Sequence, residues 1–155
     1  MRTRVGLFAL MVATIATTAM FAPSAGAATK TPKGPYTETS SGVPDSVLGE
    51  YLEKVTNSQA GHGVAVTAAA VRGGAPPGTL TSVRYFAGGS YTTKETLTFG
   101  PSGVATGTPQ PISGSGMCTS GTGIFAKVKC TFTWEGSFNE LKNTYDVKYT
   151  GTFKK

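Results

Sequence analysis

Glu95 falls on the same alternation as Leu97 and Phe99, so a strand through this segment would aim its carboxylate at an apolar interior. A carboxyl group desolvated in that way holds its proton more tightly, which suits acid–base work. Two readings stay open at this point: an inward acid in a cavity, or a group near the strand's mouth satisfied by Lys94 and solvent. Arg84, which points opposite to Val83 and Tyr85, is read in the same two ways. Glu135 and Asp146 fall on polar faces and read as solvated charges.

The aromatic side chains are the second resource. Tyr85, Phe99, Phe132, Trp134, Tyr145 and Tyr149, with Tyr91 and Phe153, could line an apolar cavity with a few hydroxyl handles, a lining that suits a small hydrophobic ligand. The other reading is that they fill the core, because small barrels are packed solid unless strand number and shear leave room. The candidate cavity set is therefore Arg84, Tyr85, Glu95, Phe99, Phe132, Trp134, Tyr145 and Tyr149.

Other chemistries find little support. The single histidine, His62, lies between Gly61 and Gly63 in a connector, with no strand–turn–helix nucleophile elbow to serve, and reads as an exposed turn residue. A metal centre needs three or four ligands, usually His and Cys, and none is expected. Gly114-Ser115-Gly116 and Gly121-Thr122-Gly123 lack the following helix that would aim backbone amides at a phosphate, so no cofactor is expected either. Cys118 and Cys130, the only two cysteines, sit on the apolar parity of two segments that Gly121-Thr122-Gly123 can fold back on each other. In an oxidising compartment such a pair is most simply one disulfide.

The elements that must position these residues are mostly strands. Ile124, Ala126, Val128, Cys130, Phe132 and Trp134 alternate with polar neighbours, as do Tyr145, Val147, Tyr149, Gly151 and Phe153. Period-two alternation describes half-buried strands. Val64 to Val71, Leu80 to Ala87, Tyr91 to Phe99, Val104 to Thr108 and Ile112 to Cys118 read as further strands punctuated by Gly and Pro turns. Val47, Leu48, Tyr51, Leu52 and Val55 fall at helical spacing, with Pro44 and Asp45 suited to a first turn, so a short N-terminal helix is expected there. Residues 28–42, with Pro32 and Pro35 and no apolar period, read as a flexible arm. Six or seven short strands and 21 glycines argue for an all-β fold. A small antiparallel, calycin-like closed barrel removes unpaired strand edges, with a sandwich as the alternative.

Residues 1–27 have the three parts of a secretory signal peptide: Arg2 and Arg4, an apolar stretch from Val5 to about Phe21, and Ala25-Gly26-Ala27 before the cut. Thr14, Thr17 and Thr18 dilute that stretch below the roughly 20 residues that span a bilayer, so the protein is expected to be secreted, with no stable membrane insertion. The remainder, 43–155, reads as a single domain. Of the chain's 14 basic residues, loss of Arg2 and Arg4 leaves 12 against 8 acidic, and the net charge falls from +6 to +4. Lys127, Lys129 and Lys148 are scattered on polar faces, and no basic cluster with interleaved aromatics appears, so no nucleic-acid partner is expected.

The segment Gly114-Ser115-Gly116-Met117-Cys118-Thr119-Ser120-Gly121-Thr122-Gly123-Ile124-Phe125-Ala126 resembles the glycine-rich turn of the allene oxide cyclase and dirigent barrel superfamily, where a GTG-aromatic turn leads into a long strand. Leu97-Thr98-Phe99-Gly100-Pro101-Ser102-Gly103 and the closing Tyr149-Thr150-Gly151-Thr152-Phe153 stand in the same order as in that family. The resemblance covers only the C-terminal half of the chain. It implies an eight-stranded barrel with an apolar cavity, frequently oligomeric, that guides cyclisation or coupling by holding a reactive small molecule in one conformation. No catalytic residue transfers position by position. The leading expectation is a secreted barrel that binds a small apolar ligand, with cyclase- or isomerase-like activity by positioning as its extension. The alternative is a secreted, non-enzymatic interaction protein that contacts a cell-wall polymer or another protein.

Overall fold

The computed structural model describes residues 30–45, 50–70, 78–102 and 107–155. Side chains in these segments alternate between a closed interior and solvent with the period of two that a pleated strand imposes. The eight strands are β1 (Gly34–Asp45), β2 (Glu50–Asn57), β3 (Gly61–Ala70), β4 (Gly78–Phe86), β5 (Gly89–Phe99), β6 (Gln110–Gly121), β7 (Lys129–Asn139) and β8 (Thr144–Lys154). Each pairs antiparallel with the next, and β8 pairs back onto β1, with Tyr36 opposite Gly151, Glu38 opposite Tyr149 and Ser40 opposite Val147. That last pairing closes an all-β barrel and excludes the sandwich.

Three sequence expectations are corrected. The expected arm over 28–42 contains most of β1, the strand that closes the barrel. The expected helix gives way to strand β2 from Glu50 onward, while 46–49 lie outside the described residues. Both errors have one cause. The inward faces carry Glu38 and Ser40 on β1 and Glu53 and Asn57 on β2, whereas Val43 and Leu52 face solvent, so polarity does not report the alternation. The expected strand over Val104 to Thr108 is absent at Gly107 and Thr108, and 103–106 lie outside the described residues.

The strand expected to start at Ile124 starts at Lys129. Lys127 has φ 70°, a left-handed conformation that interrupts an extended run, and Gly123–Phe125 form a 3₁₀ turn. Within that turn Phe125, rather than Ile124 or Ala126, is fully buried. Its ring plugs one end of the barrel against Tyr91 at 4.8 Å, Phe86 at 5.7 Å and Phe153 at 5.9 Å between centroids. The amide of Ile124 donates to the Gly88 carbonyl at 2.9 Å and ties the plug to the β4–β5 hairpin.

Near the plug Cys118 and Cys130 form the expected disulfide, with Cα atoms 4.9 Å apart. The β5–β6 register shifts between Thr92 and Thr93, which pair with Ser120 and Cys118. Thr119 is thus the extra residue of a bulge that bends β6 toward the plug. Farther along β6, Gly114 and Gly116 lie opposite Trp134 and Phe132. A Cβ on Gly114 would meet Trp134 Cζ2 at 2.6 Å, and one on Gly116 would meet Phe132 Cζ at 2.6 Å. The aromatic rings therefore lie over bare backbone, and β6 contributes space where β7 contributes bulk.

Candidate functional site

The interior of the barrel is layered along its axis. Above the Phe125 plug, β4 places Arg84 beside Tyr91 of β5, and alternation puts Thr93 and Glu95 on the same inward face. Arg84 Nε donates to Glu38 Oε1 at 2.6 Å, and Nη1 donates to Glu95 Oε1 at 3.0 Å and to Thr93 Oγ1 at 2.8 Å. Thr93 Oγ1 in turn donates to Glu95 Oε1 at 2.6 Å. The other oxygen of Glu38 accepts from the Tyr91 hydroxyl at 2.6 Å and from Asn57 Nδ2 at 2.8 Å. Both Arg84 and Glu38 are only 1% exposed. The guanidinium lies 4.6 Å from the centre of the Tyr149 ring, a cation–π contact that replaces part of the lost hydration.

Electrostatics here follow from burial against proximity. Burial alone would lower the pKa of Arg84, but Glu38, then Tyr149 and Glu95, outweigh it and raise it well above the ordinary arginine value. The cation is therefore permanent. Burial, reinforced by Glu38, pushes the Tyr91 phenol well up, and burial does the same to Tyr149 with Arg84 opposing. Both phenols remain hydrogen-bond donors throughout the physiological range.

The next layer holds a third carboxyl group. Glu53 accepts from the hydroxyls of Ser40 and Thr67, and Tyr145 also hydrogen-bonds to it. Thr67 is hydrogen-bonded in turn to Ser82 at 2.8 Å. Burial, followed by Glu53, raises the Tyr145 pKa far above the ordinary phenol value. Among the described residues the buried interior thus holds one cation against Glu38, Glu53 and Glu95.

Beyond Glu53 and toward the end where β1 leads to β2, a cavity of about 90 Å³ opens. Thr67 and Tyr149 connect its floor to the polar layers, and Leu80, Leu97, Ile112 and Val147 form apolar walls. Tyr51, Phe99, Trp134, Phe138 and Tyr145 complete it, with the Tyr51 and Tyr145 rings 5.2 Å apart edge to face. The Tyr51 hydroxyl donates to Asn143 Oδ1 at 3.2 Å and so anchors to the β7–β8 turn.

Three buried polar atoms in this interior lack a hydrogen-bond partner: Arg84 Nη2, Glu95 Oε2 and Trp134 Nε1. Two are donors and one is an acceptor. Buried polar groups ordinarily find partners, and leaving one unmade costs roughly 1–3 kcal/mol. Trp134 lines the cavity itself, while Glu95 lies one inward step below the wall residue Leu97 on β5.

The expected cavity set separates into three groups. Phe99, Trp134, Tyr145 and Tyr149 line the cavity. Arg84, Glu95 and Phe132 lie deeper, and Glu95 is buried against Arg84 rather than satisfied by Lys94, which faces outward. Tyr85 is the exception: it is 46% exposed on the outer surface, because an inward Arg84 forces its neighbour outward. Sequence reasoning missed Glu38, Glu53, Asn57 and Thr67, which lie in or beside the segments read as arm, helix and apolar strand. The available signal was Glu53 and Asn57 sharing one strand parity with Val55 between them. His62 opens β3, exposed, with Nδ1 3.1 Å from Thr56 Oγ1. Among the described residues no His, Cys, Asp and Glu side chains converge to hold a metal ion.

No family model, curated protein or solved structure matches this chain. What the site can do is read from its own geometry.

Proposed function

We propose that the end of the barrel opposite the Phe125 plug binds a small, largely apolar molecule whose polar end enters first and meets the cavity floor at Thr67 and Tyr149. The observation that carries this reading is an apolar cavity lined by Trp134, whose buried Nε1 lacks a hydrogen-bond partner. A ligand group that accepts a hydrogen bond would relieve the cost of leaving that donor bare. The cavity is smaller than the roughly 150 Å³ that encloses a benzene ring, so only one end of a ligand is engulfed and the rest extends past Tyr51 and Phe138.

The same floor suits catalysis by positioning. The aromatic walls of this water-poor cavity restrict the conformers of a bound molecule, with Tyr145 and Tyr149 among the polar side chains it meets. Cyclisation or isomerisation of a flexible ligand is the reaction class this favours. The internal disulfide, together with the absence among the described residues of a helix long and apolar enough to cross a membrane, is compatible with an extracellular protein.

Trp134 is the chain's single tryptophan and lines the cavity, so it reports occupancy directly. Titration with a panel of short alkyl phenols, aldehydes and carboxylic acids is expected to give a saturable change in its emission for at least one class. Filling the cavity with Leu97→Phe or Ile112→Phe should weaken that binding at least ten-fold. The absence of any saturable change, or a change that survives both substitutions, would remove the binding reading.

A further inference from the structure

The outer face of β1–β4 carries large apolar side chains where solvent would favour polar ones. Val43 on β1 is 53% exposed and Leu52 on β2 is 45% exposed. The register aligns them with Val66 on β3 and Val83 on β4, so a single row crosses four strands. In the neighbouring row Val64 and Tyr85, both exposed, stand opposite each other on β3 and β4. The row is contiguous and rigid, because each member is fixed by a paired strand.

Together these side chains make a contiguous exposed apolar patch, a feature that on a monomer is commonly functional. A groove of about 580 Å³ runs along this face, lined by Val43, Leu52, Val64 and Val66 together with Lys54 and, from β8, Asp146. Apolar branched side chains on a flat sheet face are what a second sheet packs against.

The charges flanking the row indicate which sheet that is. Lys54 and Glu50 stand on β2 on opposite sides of Leu52, both on the outward face and about 13 Å apart along the strand. That separation prevents them from pairing with each other, and neither has an ion-pair partner among the described residues. A two-fold axis lying along the apolar row would turn the face onto itself. Strand β2 of one copy then lies antiparallel over β2 of the other, and positions on either side of the row exchange. Each Lys54 meets the partner's Glu50, and each Glu50 meets the partner's Lys54.

We infer that this face is a homodimer interface, in which the Val43–Leu52–Val66–Val83 row packs against its own copy and two reciprocal Lys54–Glu50 pairs set the register. The occupant is a second copy of this chain because the pattern is self-complementary, as an isologous two-fold contact requires. The apolar row forms the centre of a contact in which each partner of a standard interface buries roughly 800 Å². The polar rim of Ser41, Lys54, Glu50, Thr81 and Thr92 supplies the rest.

Sedimentation equilibrium of the purified protein across a hundred-fold concentration range tests this directly. The unaltered protein is expected to be dimeric at the upper concentrations. Leu52→Lys and, independently, Val64→Lys should each raise the dissociation constant at least thirty-fold while leaving the far-ultraviolet circular dichroism and thermal midpoint near those of the parent. Lys54→Glu and Glu50→Lys should each weaken association about ten-fold, and the double exchange Glu50→Lys with Lys54→Glu should restore it. A protein that stays monomeric throughout overturns the proposal, as does a dimer indifferent to both lysine substitutions. Failure of the double exchange to restore association overturns the two-fold register.

Discussion

Arg84 shows how a single residue can organise an interior. It neutralises Glu38 and Glu95, stacks near Tyr149 and keeps one nitrogen without a partner. Such a residue contributes less through the net value of its ion pairs than through what its loss would leave behind. Arg84→Met keeps much of the volume but strands two carboxylates in the barrel, and is expected to cost roughly 3–5 kcal/mol in urea unfolding. Adding Glu38→Gln and Glu95→Gln to that variant removes the stranded charges and should recover most of the loss. An Arg84→Met protein as stable as the parent would show that the guanidinium is dispensable.

At the scale of elements, the barrel depends on the match between β6 and β7. Two glycines on β6 leave room for Phe132 and Trp134, so the aromatic wall of the cavity exists because its neighbour has no side chains there. Gly114→Val must displace the Trp134 ring or the Thr96 carbonyl, both within contact range of the added carbon. Overpacking of this kind typically costs 1–3 kcal/mol, and the Trp134 emission maximum should move to the red as the ring is driven toward water. An unchanged emission spectrum would contradict the packing described. The disulfide joins the same two strands across a separation of 12 residues. In the chain-entropy model a loop of this size is worth about 3 kcal/mol, so the Cys118→Ala, Cys130→Ala double variant should lose stability of that order without losing the barrel's circular dichroism. A loss below 1 kcal/mol would indicate that the plug and strand pairing already hold the hairpin closed.

For the whole molecule the buried phenols set the alkaline limit. Tyr36, Tyr91, Tyr145 and Tyr149 all have raised pKa values, burial being the largest cause in each case. A raised folded-state pKa means that these groups give their full contribution below the unfolded value near 10 and lose it as pH rises toward the folded value. Above pH 10 the unfolded chain releases protons that the folded chain retains. Each tyrosine then removes about 1.4 kcal/mol of stability per pH unit, and the four together remove several. Stability is expected to be insensitive to these groups from pH 7 to 9 and to fall steeply above pH 10. Four of the six tyrosines should ionise only as the barrel unfolds, which phenolate absorbance followed alongside circular dichroism will check. Phenolate formation by all six before unfolding would mean that the interior is open to water.

The strand character of β3 to β8, the Cys118–Cys130 link and the turns between them were legible in the sequence because local alternation, glycine placement and an even cysteine count are local properties. The inward parity of Trp134, Tyr149 and Glu95 followed from the same alternation, while the choice for Glu95 between a buried acid and a group at the strand's mouth did not. Beginning the chain, β1 and β2 were not legible. Their inward faces mix Glu38, Ser40, Glu53 and Asn57 with Tyr36 and Val55, and their outward faces mix Val43 and Leu52 with Thr39 and Lys54, so the polarity rule that marks a strand is inverted at several positions and gives no period. Such inversions are expected where the interior holds a site or the exterior an interface. Only closure of β8 onto β1 brings Glu38 to Arg84, 46 positions later in the chain, and makes the buried carboxylate tolerable. Sequence alone determined that the segments of β3 to β8 extend and what their faces offer. The tertiary structure decided which face became the inside, because a buried charge is affordable only opposite a partner that folding must bring from another strand.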